Sequence, residues 1–460
     1  MTCTSRRRFL KTIPQTLATG ALVGGIPRFL VAQSSSSEFD YVITAQEATF
    51  SLRGKPNLKG LGFNGTYPAP VIKAKQGQRI RIKLVNKLSK ATTIHWHGVR
   101  LENKMDGVPF LTQKPVQPGE SFVYDFETPD AGTFWYHPHI NSLEQLSKGL
   151  TGVLLVEETT KPPFDQDHIV QLKNWNVKDN HIQTIWAMKK AARGGTIGKI
   201  LTVNGQDKLV VQTEVGHNVR LRLANLDNSV IYDIRNINQE AFKLLAVDSN
   251  PFSSPQTIDA YELGAGSRID LGFRSLKPGV FSLKHGTGSR QALLVEIQVV
   301  KAKSKAKAAT RATLPPNPIA KPDYKKAQTL RFSFEWSGAM TPKDGSQAPS
   351  FWAINKISWQ GFQNGKKPKP LATLKLGRSY IFEFKNETPN RHPIHLHGLF
   401  FEVFQSNKKK ITPYFADTVL MDKNETVKVA LVADNIGDWM FHCHIVEHLK
   451  TGFMGYISVV

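Results

Sequence analysis

The sequence predicts an all-β chain of three Greek-key β-sandwich domains, and three observations support this. Ten-residue stretches recur at 77–86, 216–225 and 377–386, each opening on glycine, alternating apolar and polar side chains, and closing on asparagine. A period of two marks a strand with one buried face. Short strand-like runs broken by Gly, Pro and Asn turns fill most of the remainder, with few helical stretches, as Greek-key sandwiches require. The length of 460 residues exceeds what one hydrophobic core fills and fits roughly three domains of about 150 residues.

Residues 1–37 form the first segment. Ser5-Arg6-Arg7-Arg8-Phe9-Leu10-Lys11 precedes a weakly apolar run over 13–32 that Pro14, Pro27 and Arg28 interrupt. This arrangement resembles a twin-arginine export signal, with the serines of 34–37 at the start of the mature chain. The run is too polar and too broken for a stable membrane span. The resemblance implies the twin-arginine export machinery as a partner and a periplasmic or otherwise exported location. Residues 38–158 are read as the first domain and 159–300 as the second. Residues 301–326, rich in Lys, Ala and Pro, are read as a basic linker, and 327–460 as the third domain.

The formal net charge is +23. Excess lysine first suggests a solvated surface, and secondly attraction to anionic substrates, envelope polymers or membrane surfaces. No RNA- or DNA-binding motif occurs, so a nucleic-acid partner is not expected. The two cysteines are Cys3, inside the signal-like segment, and Cys443. The mature chain therefore has no partner with which Cys443 could form an internal disulfide.

The repeat also places the histidines. Eighteen residues after each opening glycine stand His95, Ile234 and His395, and the outer two continue as His95-Trp96-His97-Gly98 and His395-Leu396-His397-Gly398. A second alignment sets Gly132-Thr133-Phe134-Trp135-Tyr136-His137-Pro138-His139 against Gly437-Asp438-Trp439-Met440-Phe441-His442-Cys443-His444. In the middle unit the corresponding positions hold Lys284 and Gly286, and His285 falls on the opposite strand face. Only the outer units keep metal donors. A thiolate flanked by imidazoles suits a redox-active copper ion in a His/His/Cys arrangement. On a strand His442 and His444 share one face while Cys443 points to the other, so one segment addresses two centres.

Four His-x-His pairs, two from each outer repeat, resemble the motifs of the three-domain multicopper oxidases, the laccase family, and do so across nearly the whole mature chain. The resemblance implies cupredoxin-like domains and four copper ions: one type 1, one type 2 and two type 3. It implies His392, Cys443 and His448 at type 1, and His95 and His395 at type 2. One type 3 ion would take His97, His137 and His444, and the other His139, His397 and His442. Phe453 stands where many relatives have an axial methionine, with Met454 next along. Phenylalanine does not ligate, so the expected type 1 site is three-coordinate with a raised potential.

Asp106, in Met105-Asp106-Gly107-Val108-Pro109, is read as a catalytic proton carrier, with a turn-forming Asp-Gly as the alternative. Glu447 is a second candidate. Asp417 is read as either a substrate-orienting group or a turn residue, and Trp96, Trp135 and Trp439 as packing around the histidines. His168, His181 and His217 are expected in loops or at the surface. The implied activity is one-electron oxidation of phenols or aromatic amines coupled to four-electron reduction of dioxygen to water. The alternatives are a metallo-oxidase acting on cuprous, ferrous or manganous ions, and a copper-free structural relative.

Overall fold

The computed structural model describes residues 38–236, 241–288, 291–302, 311–340, 350–362 and 367–460. The signal-like segment with Cys3 lies outside the described residues, as does 303–310 of the expected linker.

The strands fall into three successive groups, each built from two sheets. In the first, strands Tyr41–Leu52, Lys55–Phe63, Arg79–Asn86 and Ser121–Glu127 pair side by side, and Ile72–Lys75, Gly152–Glu157, Gly132–His137 and His95–His97 make the second layer. In the third, Ser379–Asn386 and Thr426–Val432 centre one sheet, while His392–Leu396 and Gly437–Cys443 centre the other. The middle group continues the first sheet through His181–Gln183, which pairs with both Lys55–Phe63 and Gln166–Lys178. This is the all-β, cupredoxin-like architecture expected.

The repeated strands behave as their pattern dictates. In Arg79–Asn86 the apolar Ile80, Ile82 and Leu84 are buried while the polar side chains between them are exposed or half-buried. The closing asparagine has a structural job in all three repeats. Asn86 Nδ2 donates to the carbonyls of Lys90 (3.0 Å) and Val116 (2.8 Å), while Oδ1 accepts from the Leu88 amide (2.9 Å). Asn225 does the same with Val230, Leu263 and Asp227, and Asn386 with Asn390, Asp422 and Thr388. Each amide satisfies buried backbone groups at the turn that leads into the next strand of the opposite layer.

In the outer groups that next strand carries histidines. His95 pairs in register with His137, and His395 with His442. In the middle group Ile234 pairs with His285, one residue past the aligned Lys284. On its other edge the strand Gly279–His285 meets a bulge, in which Leu294 of Ala292–Val300 is the extra residue opposite Leu283 and Lys284. A single set of contacting buried apolar residues runs through all three groups.

Candidate metal centres

Strand alternation and one short helix assemble the first site. His392 begins the strand His392–Leu396, Cys443 ends the neighbouring Gly437–Cys443, and His448 sits on the helix Val446–Lys450. Their donor atoms lie within 4.8 Å of one another. His392 Nδ1 and His448 Nδ1 are 3.2 Å apart, and Cys443 Sγ is 3.7 Å from the first and 3.5 Å from the second. The outer ring nitrogens are engaged elsewhere: His392 Nε2 with Thr388 Oγ1 at 2.8 Å, and His448 Nε2 donating to the Arg193 carbonyl at 2.6 Å. Those bonds leave both Nδ1 atoms free to face the sulfur, as outer partners of metal-binding imidazoles do.

All three side chains are fully enclosed. Burial pushes the thiol up, and it drives His448 down to about 3 despite the Arg193 carbonyl. Phe453 is buried with its ring centroid 4.9 Å from that of His392. Met454 pairs in register with His442 and so shares the strand face that points away from Cys443.

The other strand face, with residues from the first group, gathers eight imidazoles. Donor atoms of His97, His137 and His444 form one compact set, those of His139, His397 and His442 a second, and those of His95, His97 and His395 a third. All are buried. Where a shift is resolved, burial comes first and neighbouring imidazoles, among other groups, reinforce it, holding His97, His137, His139, His397, His442 and His444 well below the usual histidine range. Neutral imidazole is the metal-binding form.

Two aspartates tie the outer groups together. Asp106 accepts from His95 Nδ1 through its carbonyl at 2.9 Å and from His397 Nδ1 through Oδ2 at 2.9 Å. Its Oδ1 lies 3.1 Å from His95 Nδ1 but has no hydrogen-bond partner. Asp417 Oδ1 lies 3.1 Å from His97 Nε2, and the Asp417 carbonyl accepts from His395 Nδ1 at 2.9 Å. For Asp417, read from the sequence as a substrate-orienting group or a turn residue, the structure adds a third part, as a partner of histidines.

Sequence reasoning missed what holds Asp417. Arg268, on a middle-group strand, donates from Nη1 to Oδ1 at 2.9 Å and from Nη2 to Oδ2 at 2.7 Å. Burial alone would raise the Asp417 carboxyl, but the guanidinium outweighs it and holds the group well below the usual carboxylate range. Asp248 stands behind, accepting from the amides of Arg268 (2.8 Å) and Thr418 (3.0 Å). Gly98 makes room for this clamp: at φ +85°, its Cβ would fall 2.4 Å from Arg268 Nη2. A charged residue at alternate strand positions reads in sequence as a solvent face, and only the packing of the middle group against the outer two turns Arg268 inward.

Glu447, the second candidate proton carrier, lies on the helix beside His448. Both its oxygens accept from the segment 187–196, on the Cys443 side: Oε1 from the Ala187 amide (3.2 Å) and the Thr196 hydroxyl (2.7 Å), Oε2 from the Thr196 amide. Of the two candidates, Asp106 is the one hydrogen-bonded to the set of eight imidazoles. His168, half-buried, bonds to Gln166, and His181 is exposed.

Two family models, each described as multicopper oxidase, match residues 44–161 and 333–460. A solved multi-copper oxidase from Pseudomonas thermotolerans is 39% identical with a TM-score of 0.82, the match covering 91% of this chain and 98% of that one. The chain belongs to the multicopper oxidase family. A curated multicopper oxidase of Staphylococcus epidermidis is 27% identical over 91% of this chain and 88% of its own length. A multicopper oxidase from Campylobacter jejuni, described as a metallo-oxidase, is 25% identical with a TM-score of 0.78, over 94% of this chain and 93% of that one. As a multicopper oxidase the protein is a copper oxidoreductase, and dioxygen fits as its oxidant. Among the described residues no helix is long and apolar enough to cross a membrane.

Proposed function

We propose a laccase-like oxidase with four copper ions that removes single electrons from phenols or aromatic amines and reduces dioxygen to water. The observation that carries the reading is a set of buried nitrogens with no partner. His95 Nε2, His97 Nδ1, His137 Nε2, His139 Nε2, His395 Nε2 and both ring nitrogens of His444 make no hydrogen bond. His397 Nε2 and His442 Nε2 face each other at 3.0 Å. Orphaned buried polar atoms cost about 1–3 kcal/mol each, so a protein keeps so many together only where something else binds them. The donor set therefore fits the metal.

His392, Cys443 and His448 would hold the type 1 ion, and His95 and His395 the type 2 ion. His97, His137 and His444 would hold one type 3 ion, and His139, His397 and His442 the other. Copper bound there supplies one-electron carriers and a place where dioxygen takes up four electrons. The chain's own part is to connect and to protonate. The backbone from Cys443 to His442 and His444 joins the two donor sets through covalent bonds alone. Asp106 Oδ1, unpartnered and buried beside His95, is where a proton is held for delivery to the reduced oxygen. Phe453, packed against His392, offers no lone pair, so His392, Cys443 and His448 would hold the type 1 ion without a fourth donor from that side.

The domain limits 38–158, 159–300 and 327–460, the export by the twin-arginine route and the periplasmic location belong to the same proposal. The Campylobacter relative's description favours one second reading, oxidation of a metal ion, and steady-state rates with a phenol against cuprous, ferrous and manganous ions separate the two. Metal analysis and optical spectra test the main reading. About four coppers per chain and a thiolate band near about 600 nm are expected. Cys443→Ser should abolish the band and turnover with organic reductants together. A copper-free protein with the same fold would overturn it.

A further inference from the structure

The segment 187–196 covers the Cys443 site as a strap. Its Arg193 carbonyl accepts from His448 Nε2 at 2.6 Å, and its Ala191 carbonyl accepts from the Trp352 indole at 2.9 Å. That indole in turn lies against His448 with ring centroids 4.4 Å apart. Glu447, the residue before His448, fastens both ends, taking hydrogen bonds from Ala187 and from Thr196. Between these ends Gly195, at φ +83°, presses so closely on the layer below that a Cβ would meet Ser229 Cβ at 2.7 Å and Ile445 Cγ2 at 3.0 Å.

Two consequences follow. His392, Cys443 and His448 are each 0% exposed, so a reductant meets the strap and not an imidazole edge. The strap is also one-signed: from 184 to 200 the chain carries Lys189, Lys190, Arg193 and Lys199 and no Asp or Glu. Lys189, Lys190 and Arg193 are exposed. A cleft of about 500 Å³ opens along its edge between Gly194, Ile197 and the Asn390, Arg391, Asp422 and Lys423 side, where Asp422 is acidic and Arg391 is ion-paired with Glu262, so the unopposed positive charge belongs to the strap itself. Like-signed charge on an exposed face, here Lys189, Lys190 and Arg193, concentrates ligands of the opposite sign.

We infer that this strap, fastened by Glu447, decides which reductants the oxidase accepts: it bars direct contact with His448 and favours anionic one-electron donors docked on its basic outer face. The inference rests on the function proposed above. Each donor gives up one electron, which enters across the Arg193 carbonyl to the His448 side of the site, and leaves oxidised by one unit. Four donors and four protons balance one dioxygen reduced to two waters. Glu447 is a positioning residue in this scheme, and Lys189, Lys190 and Arg193 set specificity.

The test uses the copper-loaded full chain with ferrocyanide as the anionic donor and 2,6-dimethoxyphenol as the neutral one. The inference expects kcat/KM for ferrocyanide to fall about tenfold as ionic strength rises from about 10 to about 300 mM, and about tenfold at low salt in Lys189→Glu/Lys190→Glu, with the phenol changing less than about twofold. Equal salt and charge responses for the two donors would overturn the selection. Amide exchange reads the fastening without reference to turnover. Glu447→Gln should speed exchange at Ala187 and Thr196 at least about tenfold and raise kcat/KM for the phenol, whereas unchanged exchange and unchanged phenol kinetics would overturn the roof. The double lysine variant alters exposed side chains only, so the selection stays testable should Glu447→Gln fold poorly. A wild-type protein without copper or blue colour would sink the proposed function, while a blue, active protein with flat donor selectivity would sink this inference alone.

Discussion

Phe453 and Asp106 are the two single side chains on which the proposed chemistry of the buried sites turns. Phe453 fills the position beside His392 with an aromatic ring that offers no lone pair, which would favour the reduced state of a copper held, as proposed, by two imidazoles and a thiolate. Phe453→Met, close in volume, should therefore lower the type 1 potential by on the order of 60 mV, a tenfold change in a one-electron equilibrium. Redox titration of the blue band checks it, and an unchanged potential would place Phe453 outside the metal's surroundings. Asp106 differs in kind. Asp106→Asn keeps an oxygen for the His397 Nδ1 hydrogen bond but holds no transferable proton. Dioxygen consumption should fall by about 10²–10⁴, the usual worth of a positioned acid or base, with copper content unchanged. Full turnover in that variant would return Asp106 to the status of a turn residue.

At the scale of strands, burial can outweigh the chemistry of a side chain. Lys173 lies mid-strand in Gln166–Lys178, entirely enclosed, with Nζ donating to the Leu226 carbonyl at 3.2 Å and placed 5.1 Å from the Trp175 ring. Burial lowers its ammonium from 10.5 to about 8, and Asp227 opposes the shift only in part. With the folded value below the unfolded one, this group's contribution to stability is complete above about 10.5 and is lost as pH falls through about 8. Between those values the slope is about 1.4 kcal/mol per pH unit. Lys173→Met should flatten that rise, which denaturant titrations at several pH values would show as a stability difference between variant and wild type that narrows with increasing pH. Parallel curves would mean that water reaches the ammonium.

For the whole molecule, the three groups of strands are joined by buried charge as well as by apolar packing. Arg268 belongs to the group without histidine donors, yet its guanidinium grips Asp417 of the third group beside His97 of the first. Arg268→Leu would leave Asp417 buried and uncompensated, at a cost of about 3–5 kcal/mol. Calorimetry on the metal-free protein should register it as a lower unfolding temperature, and a neutral result would show that the middle group does not brace the centre. The repeat, the closing asparagines, the fourfold His-x-His pattern and the lone cysteine were legible because strand periodicity and donor chemistry are local properties of a chain. The one-residue offset that pairs Ile234 with His285 was not, because register is set between strands some fifty residues apart in the chain. The partners of Glu447 were hidden for a similar reason: its neighbours in sequence are candidate ligands, but its partners in space are Ala187 and Thr196, some 250 residues away. The sequence by itself determined the three-part β architecture and which residue types stand ready to bind copper. Only the tertiary structure decided which nitrogens are left without partners, which carboxylates brace them, and what covers His448, because those depend on contacts between groups far apart along the chain, and no local pattern encodes them.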